Sequence, residues 1–306
     1  MNSNSTTVFG AILLASLAIV ALIAPWLAPS GSPLYPFTVD LSMANCPIGT
    51  NGHPLGTDHL GRDLFGQAVW GARASLAVGI LAAGIAVTTG TLWGSLGALV
   101  GGAVDTVMMR IVDGLLSIPP LILLLALQSI VSTPALAEVL PSPLLGILHV
   151  TNWSYGLLPL VVVIFVVSAT NWLEAARLSH AQVLSIKQQE FIAAAQSIGL
   201  ATAGMLRRHI LPNAAGVIIV EATLLVSDAV LMEAGLGYLG LGLGPGIPSW
   251  GGMLASAQMS LIQGNWWAAA VPGLMITTTV LAVNLIGESS LTPAGSRSGR
   301  LAARLP

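Results

Sequence analysis

Charge is scarce in this sequence. Of its 306 residues only 7% are Asp, Glu, Lys or Arg, where soluble domains carry about 25%. With 55% hydrophobic residues, the chain has more apolar surface than one core of this size can hide, so lipid is the expected solvent. A formal net charge of -2 argues against a nucleic-acid surface. The single cysteine, Cys46, excludes an internal disulfide framework and any multi-cysteine metal site. It reads as an inert loop residue. No Lys or Arg precedes the first apolar run, and that run exceeds the length of a typical leader core, so it is expected to be a retained membrane helix. The five histidines (His53, His59, His149, His180 and His209) show no HExxH spacing, and no glycine-rich loop ends in Lys-Ser or Lys-Thr. A membrane enzyme is therefore the last-ranked reading, and ATP hydrolysis is expected to be supplied by a partner. No tandem repeat of 20–50 residues is present.

What is present is a series of apolar windows of spanning length. They cover Val8–Ala28, Ala74–Ala103, Leu115–Val131, Gly156–Leu173, Ala214–Leu231 and Ala268–Gly287. The second is rich in Gly and Ala, as closely packed membrane helices are. A membrane-spanning barrel would need polar alternation, which these windows lack. The expectation is an all-α polytopic membrane protein with six transmembrane helices.

Lys and Arg orient them. Arg62 and Arg73 lie on one side. Arg110, Arg177, Lys187, Arg207, Arg208, Arg297, Arg300 and Arg304 lie on the other, which is therefore expected to be cytoplasmic, together with both termini. The expected organisation is an N-terminal helix over 1–28 and an extracytoplasmic loop over 29–73. A five-helix core over 74–290 follows, with a cytoplasmic loop at 174–212, and then a flexible basic tail over 291–306. Ser132–Tyr155, Gly235–Pro248 and Ser249–Trp267 read as loops from their Pro and Gly content.

One polar segment interrupts the fourth and fifth windows, Phe191–Asn213, "FIAAAQSIGLATAGMLRRHILPN". Ile192–Ile198 holds good helix formers, and Gly199 suits a left-handed cap. A second helical piece, Met205–His209, is expected to stop before Pro212. Physics alone allows an ordinary amphipathic connector.

The spacing adds more. This segment resembles the signature of membrane subunits of ABC importers, Glu-Ala-Ala, three residues, Gly, nine residues, Ile, one residue, Leu-Pro. Ala194 and Ala195 stand at the alanines, Gly199 at the glycine, and Leu211 and Pro212 at the Leu-Pro. Ala193 replaces the Glu and His209 the Ile. A second "EAA", Glu174-Ala175-Ala176, has His180 where the glycine belongs. The resemblance implies that Ala193, Ala194, Ala195, Gln196, Ser197, Ile198 and Gly199 form a coupling helix seated on an ATPase subunit. A bulky residue at Ala194 is then expected to separate the two surfaces.

Other stretches carry the same likeness. "PLGTDHLGRDLFGQAVWGARASLAVGI", Pro54–Ile80, is similar to the N-terminal signature of the second permease of dipeptide, oligopeptide and nickel importers. Gly56, Thr57, Asp58, Gly61, Arg62, Asp63, Gly71 and Arg73 match it. Read physically, Asp58, Arg62 and Asp63 suit an ion-paired, capped turn into the second helix. Metal ligation by Asp58, His59 and Asp63 is the weaker alternative. "GGAVDTVMMRIVDGLLSIPPLIL" (Gly101–Leu123) and "MEAGLGYLGLGLGPGIPSWGGML" (Met232–Leu254) also match. Arg110 and Asp113 are expected to pair along a helix, and the glycine run to give a bent, closely packed outer gate.

The resemblance thus implies a type I ABC importer permease fold in a bacterial or archaeal cell membrane. No cofactor would be bound by this chain, with ATP and Mg on partner subunits. The implied partners are a second homologous permease, two ABC ATPase subunits, an extracytoplasmic substrate-binding protein and the lipid bilayer, with no nucleic acid. Peptides are the implied solute; nickel or another small solute, or a self-sufficient ion-coupled carrier, are the alternatives. Glu221 and Asp228, seven residues apart on one helix face, either line the translocation path or hydrogen-bond a neighbouring helix.

Overall fold

A computed structural model describes residues 3–50, 52–131, 157–197, 199–200 and 202–290. Among them no strand occurs; two isolated bridges, Thr50 with His53 and Thr57 with Asp63, are the extended pairings. The helices are α1 (Ser3–Leu27), α2 (Leu64–Val100), α3 (Gly102–Leu116), α4 (Pro120–Val131), α5 (Leu158–Lys187), α6 (Glu190–Ser197), α7 (Thr202–Met205), α8 (Leu211–Tyr238), α9 (Trp250–Ile262) and α10 (Trp267–Ser290). The loop over 132–155 and the tail over 291–306 lie outside the described residues.

Five helices are each long and apolar enough to cross a bilayer, and a sixth span is formed if the bent pair α3 and α4 counts as one. That pair corrects the expectation of a straight third helix over Leu115–Val131. The chain turns by 91° at Ser117–Pro119. Two successive prolines, Pro119 and Pro120, withdraw two N–H donors and push Ile118 and Pro119 out of the helical region. Pro120 then begins α4, where a missing N–H is harmless. Four loop boundaries also shift. α5 runs on to Lys187, into the predicted cytoplasmic loop 174–212, and α8 runs to Tyr238, into the predicted loop Gly235–Pro248. α2 starts at Leu64 rather than Ala74, so the predicted loop over 29–73 ends in helix. The predicted loop Ser249–Trp267 contains α9, started by Ser249, whose hydroxyl accepts from the Gly252 N–H.

Small residues set the packing of the two longest helices. The Gly90 and Gly94 backbone of α2 lies directly on Trp172, Ala175 and Ala176 of α5. A side chain at Gly94 would overlap the Ala176 carbonyl oxygen. The second "EAA" is thus a helix–helix contact, the close approach that membrane packing favours. Lys187 then caps the end of α2, donating to the Ala98 carbonyl at 2.6 Å. This satisfies a carbonyl that the helix terminus leaves without a partner. Asp105 of α3 meets His180 of α5 at 2.7 Å. The expected Arg110–Asp113 pair is absent from the ion pairs of the described residues, and both side chains are exposed.

Large apolar side chains point outward from the spanning helices, among them Leu22 and Trp26 of α1, Ile80 and Leu92 of α2 and Phe165 of α5. That distribution suits helices solvated by lipid or by another membrane subunit.

Candidate functional site

Three groups of residues carry the chemistry of this chain. The first is the polar segment after α5. In α6, Ile192 is fully buried and Ala195 is 6% exposed. Ile192 packs with Val183, Ile186, Met205, Ile210 and Ala214. The opposite face presents Glu190, Phe191, Ala193 and Ser197 to the outside. The helix ends in a Schellman turn. Gly199 takes φ +78°, the Leu200 N–H reaches back to the Ala195 carbonyl at 3.2 Å, and Leu200 packs on the same apolar cluster. The predicted left-handed cap is therefore present. Of the signature residues, Ala195 faces the bundle and Ala193 and Ser197 face outward. The side chains of Ala194 and Gln196, and all of Ile198, lie outside the described residues. Sequence reasoning passed over Phe191, which is 39% exposed beside the small residues; its ring centroid stands 6.3 Å from that of His209. An aromatic opening a short polar helix was the available signal.

The helix predicted to stop before Pro212 does not stop. α7 passes through one π-helical stretch, Leu206–Ile210, directly into α8. Leu211 is helical (φ -58°, ψ -43°) although it precedes a proline, and its N–H bonds the Leu206 carbonyl. The wide π turn makes room for the ring, and Pro212, in the first turn of α8, needs no donor. Arg207 and Arg208 are exposed there. From Thr202 onward the segment and the following span are thus one continuous helix.

The second group is the Gly56–Asp63 motif, at the other end of α2. Asp58 is buried and accepts from the backbone of Leu60 and Arg62 at 2.9 Å, from Arg62 Nε at 2.8 Å and from Gln67 Nε2 at 3.2 Å. Arg62 continues to Ser256 of α9 at 3.1 Å. Asp63 is the N-cap of α2, accepting from the Gly66 N–H at 2.6 Å, with His53 Nδ1 2.8 Å from its other oxygen. Burial pushes the Asp63 carboxyl above its ordinary range, and the bonds from Gly66 and His53 oppose this. Thr57 accepts from the Cys46 N–H and donates to the Met43 carbonyl. Gly61, at φ +73°, lies against the Asp40 backbone, where any side chain would overlap it. Asn45 ties the same loop to Gln263 and Ser260. The motif is thus the capped, ion-paired turn expected, fastening the 29–60 segment to α2 and α9. Arg73 stands apart, its guanidinium 5.2 Å from the Trp70 ring centroid. A cavity of about 360 Å³ adjoins the motif, between Arg62, Gln67 and the glycine run before Ser249.

The third group is acidic. Glu221 and Asp228 of α8 are half-buried, and Glu174 of α5 is exposed on the facing helix. The three carboxylates lie within electrostatic reach of one another. Among the described residues none has an ion-pair or hydrogen-bond partner. Glu174 was not singled out as a site residue; only the fold places it beside the other two. Glu233 behaves differently. It is fully buried and accepts from Ser75 Oγ at 2.9 Å, and Ser75 in turn accepts from the Trp250 N–H. It joins α8, α2 and α9. The glycine run beyond it brings Gly237 against Gly251, the close packing expected of that stretch.

Residues 86–292 match the profile of the binding-protein-dependent transport system inner membrane component family. The chain belongs to this family. It is an inner-membrane permease component with several spanning helices. It is similar to the dipeptide transport system permease protein DppC of Bacillus subtilis (strain 168), 33% identical over 94% of this chain and 81% of that protein. It is 34% identical to the oligopeptide transport system permease protein OppC of the same organism, over 94% and 84%. The di/tripeptide transport system permease protein DppC of Pseudomonas aeruginosa (strain UCBPP-PA14) is 33% identical over 93% of this chain and 86% of its own.

Proposed function

We propose that this permease forms half of an ATP-driven, binding-protein-dependent importer of dipeptides and oligopeptides. A second, homologous permease completes the path. Two ATPase subunits bind ATP and Mg on the side of α6, and a substrate-binding protein docks at the end carrying the Gly56–Asp63 motif. Both termini and α6 are cytoplasmic, and the bent pair α3 and α4 serves as the third of six spans.

The observation that carries this reading is the two-faced placement of α6. Its apolar face is fixed to the bundle, and its outer face shows Ala193, Ser197 and Phe191, small enough around one aromatic to lie in a groove. Ile192 of α6 packs on Ile210 and Ala214 at the start of α8, and this contact supplies the lever: displacement of α6 is passed to the helix that carries Glu221 and Asp228. These two acids line the path in this proposal.

The test is purification of the tagged protein from its host in mild detergent. Recovery of an ATPase and a second permease, with the ATPase displaced by Ala193→Trp, supports the reading, as does ATP-dependent peptide uptake by the recovered complex. A stable lone protein that is indifferent to Ala193→Trp overturns it.

A further inference from the structure

The third span breaks where it meets the acids. At the 91° bend between α3 and α4 there is a cavity of about 30 Å³, close to the share of volume of one water molecule or one ammonium group. Its wall takes Ile118 and Pro120 from the break, Asn171 and Glu174 from α5, and Asp228 and Met232 from α8. Three separate elements therefore converge on it.

The wall is negative. It contains two carboxylates and no Lys or Arg, and among the described residues neither carboxylate has an ion-pair partner. Leu116, the C-terminal residue of α3, and Pro120, the first of α4, both line it, so the partial charges of the two helix ends oppose each other and the carboxylates set the sign. Broken helices with their ends at a site in mid-membrane are how several transporters hold charged solutes.

A second observation is independent of the acids. Asn171 is 3% exposed, and its Nδ2 has no partner among the described residues. Its Oδ1 lies 3.4 Å from Thr170 Oγ1. A buried amide donor left empty is costly and uncommon. This one needs an acceptor beside a group of acids that need a donor. An N-terminal peptide residue carries both, an α-ammonium and, three bonds away, a carbonyl oxygen.

We propose that Glu174, Asp228 and Asn171, at the break of the third span, form a transit site for the amino terminus of a peptide. The ammonium donates to the two carboxylates, and Asn171 Nδ2 donates to the first carbonyl. Glu221, further along α8 toward α6, continues the negative track. This rests on the peptide-import reading above and deepens it.

The test uses the complete transporter in proteoliposomes with its own binding protein and radiolabelled trialanine. The double variant Glu174→Gln/Asp228→Asn is expected to lower the maximal uptake rate about tenfold, the scale of a lost charge-assisted bond. The half-saturating concentration, set by the binding protein, and the recovery of the ATPase stay unchanged. Asp228→Glu, which keeps the charge, retains uptake. Uptake by the double variant equal to wild type, or equal loss in Asp228→Glu and Asp228→Asn, overturns the site.

A second measurement needs neither transport nor an acid variant. Cys46→Ser leaves a chain free of cysteine, to which Met232→Cys adds one at the cavity. A cationic methanethiosulfonate is expected to react about tenfold faster there than an anionic one. Equal rates overturn the proposal. Cationic preference without any trialanine uptake by the wild-type complex would keep the cation site and remove the peptide reading.

Discussion

The Asp63 carboxylate stands 2.8 Å from His53 Nδ1 while its other oxygen caps α2 through the Gly66 N–H. One fully buried side chain thus starts the longest helix and anchors the preceding loop. Asp63→Ala should cost about 1–2 kcal/mol for the cap alone, and more because His53 is left buried beside nothing. Asp63→Asn keeps the cap and should lose less. Thermal unfolding in detergent measures both.

The same carboxyl has a pH signature. Burial raises its pKa above 3.8, so between 3.8 and the raised value the folded state binds more protons than the unfolded one. The Asp63 contribution to stability therefore falls as pH rises through that window, the reverse of an exposed, salt-bridged aspartate. Melting temperatures of wild type and Asp63→Asn, followed upward from acid pH, should converge. A difference that widens in favour of wild type contradicts the assignment.

Ala193 and Ala195 are two residues apart and should behave as opposites. Ala193 is exposed and Ala195 is buried against the bundle. Ala193→Trp should leave the melting temperature unchanged and remove the ATPase. Ala195→Trp should destabilise the chain by about 1–3 kcal/mol through overpacking. Comparison of melting and co-purification in the same preparations separates the two.

Gly94 lies on the Ala176 carbonyl. Gly94→Val should force α2 and α5 apart, costing on the order of 1–3 kcal/mol or more. Gly84 has open space around it, and Gly84→Val serves as the control. Folded yield in the membrane, read by size-exclusion of a fluorescent fusion, should fall only for the first.

Glu233 accepts from Ser75 in a fully buried setting. Glu233→Gln preserves an acceptor there and should be tolerated. Glu233→Leu leaves the Ser75 hydroxyl unsatisfied, at about 1–3 kcal/mol. Equal melting temperatures for the two variants would show that Glu233 has no structural bond to lose.

The sequence by itself determined the solvent, the number of apolar windows, the left-handed turn at Gly199 and the capped turn at Asp58–Asp63. Each of these depends on composition or on residues close in the chain, so local chemistry sufficed. The shared face of Glu221 and Asp228 was equally legible from their spacing. Tertiary structure alone decided the rest. Asp105 turned from its own helix to His180 of α5, because the close glycine contact between α2 and α5 brings that histidine near. The helix continued through Pro212, because a π turn absorbed the strain that the rule for prolines assigns to a break. Glu174 joined the acids, and Asn171 Nδ2 was left without a partner among the described residues, through the packing of α3, α4, α5 and α8 around one bend. Such contacts link residues far apart in the chain, and their geometry depends on backbone approach distances that no local pattern encodes.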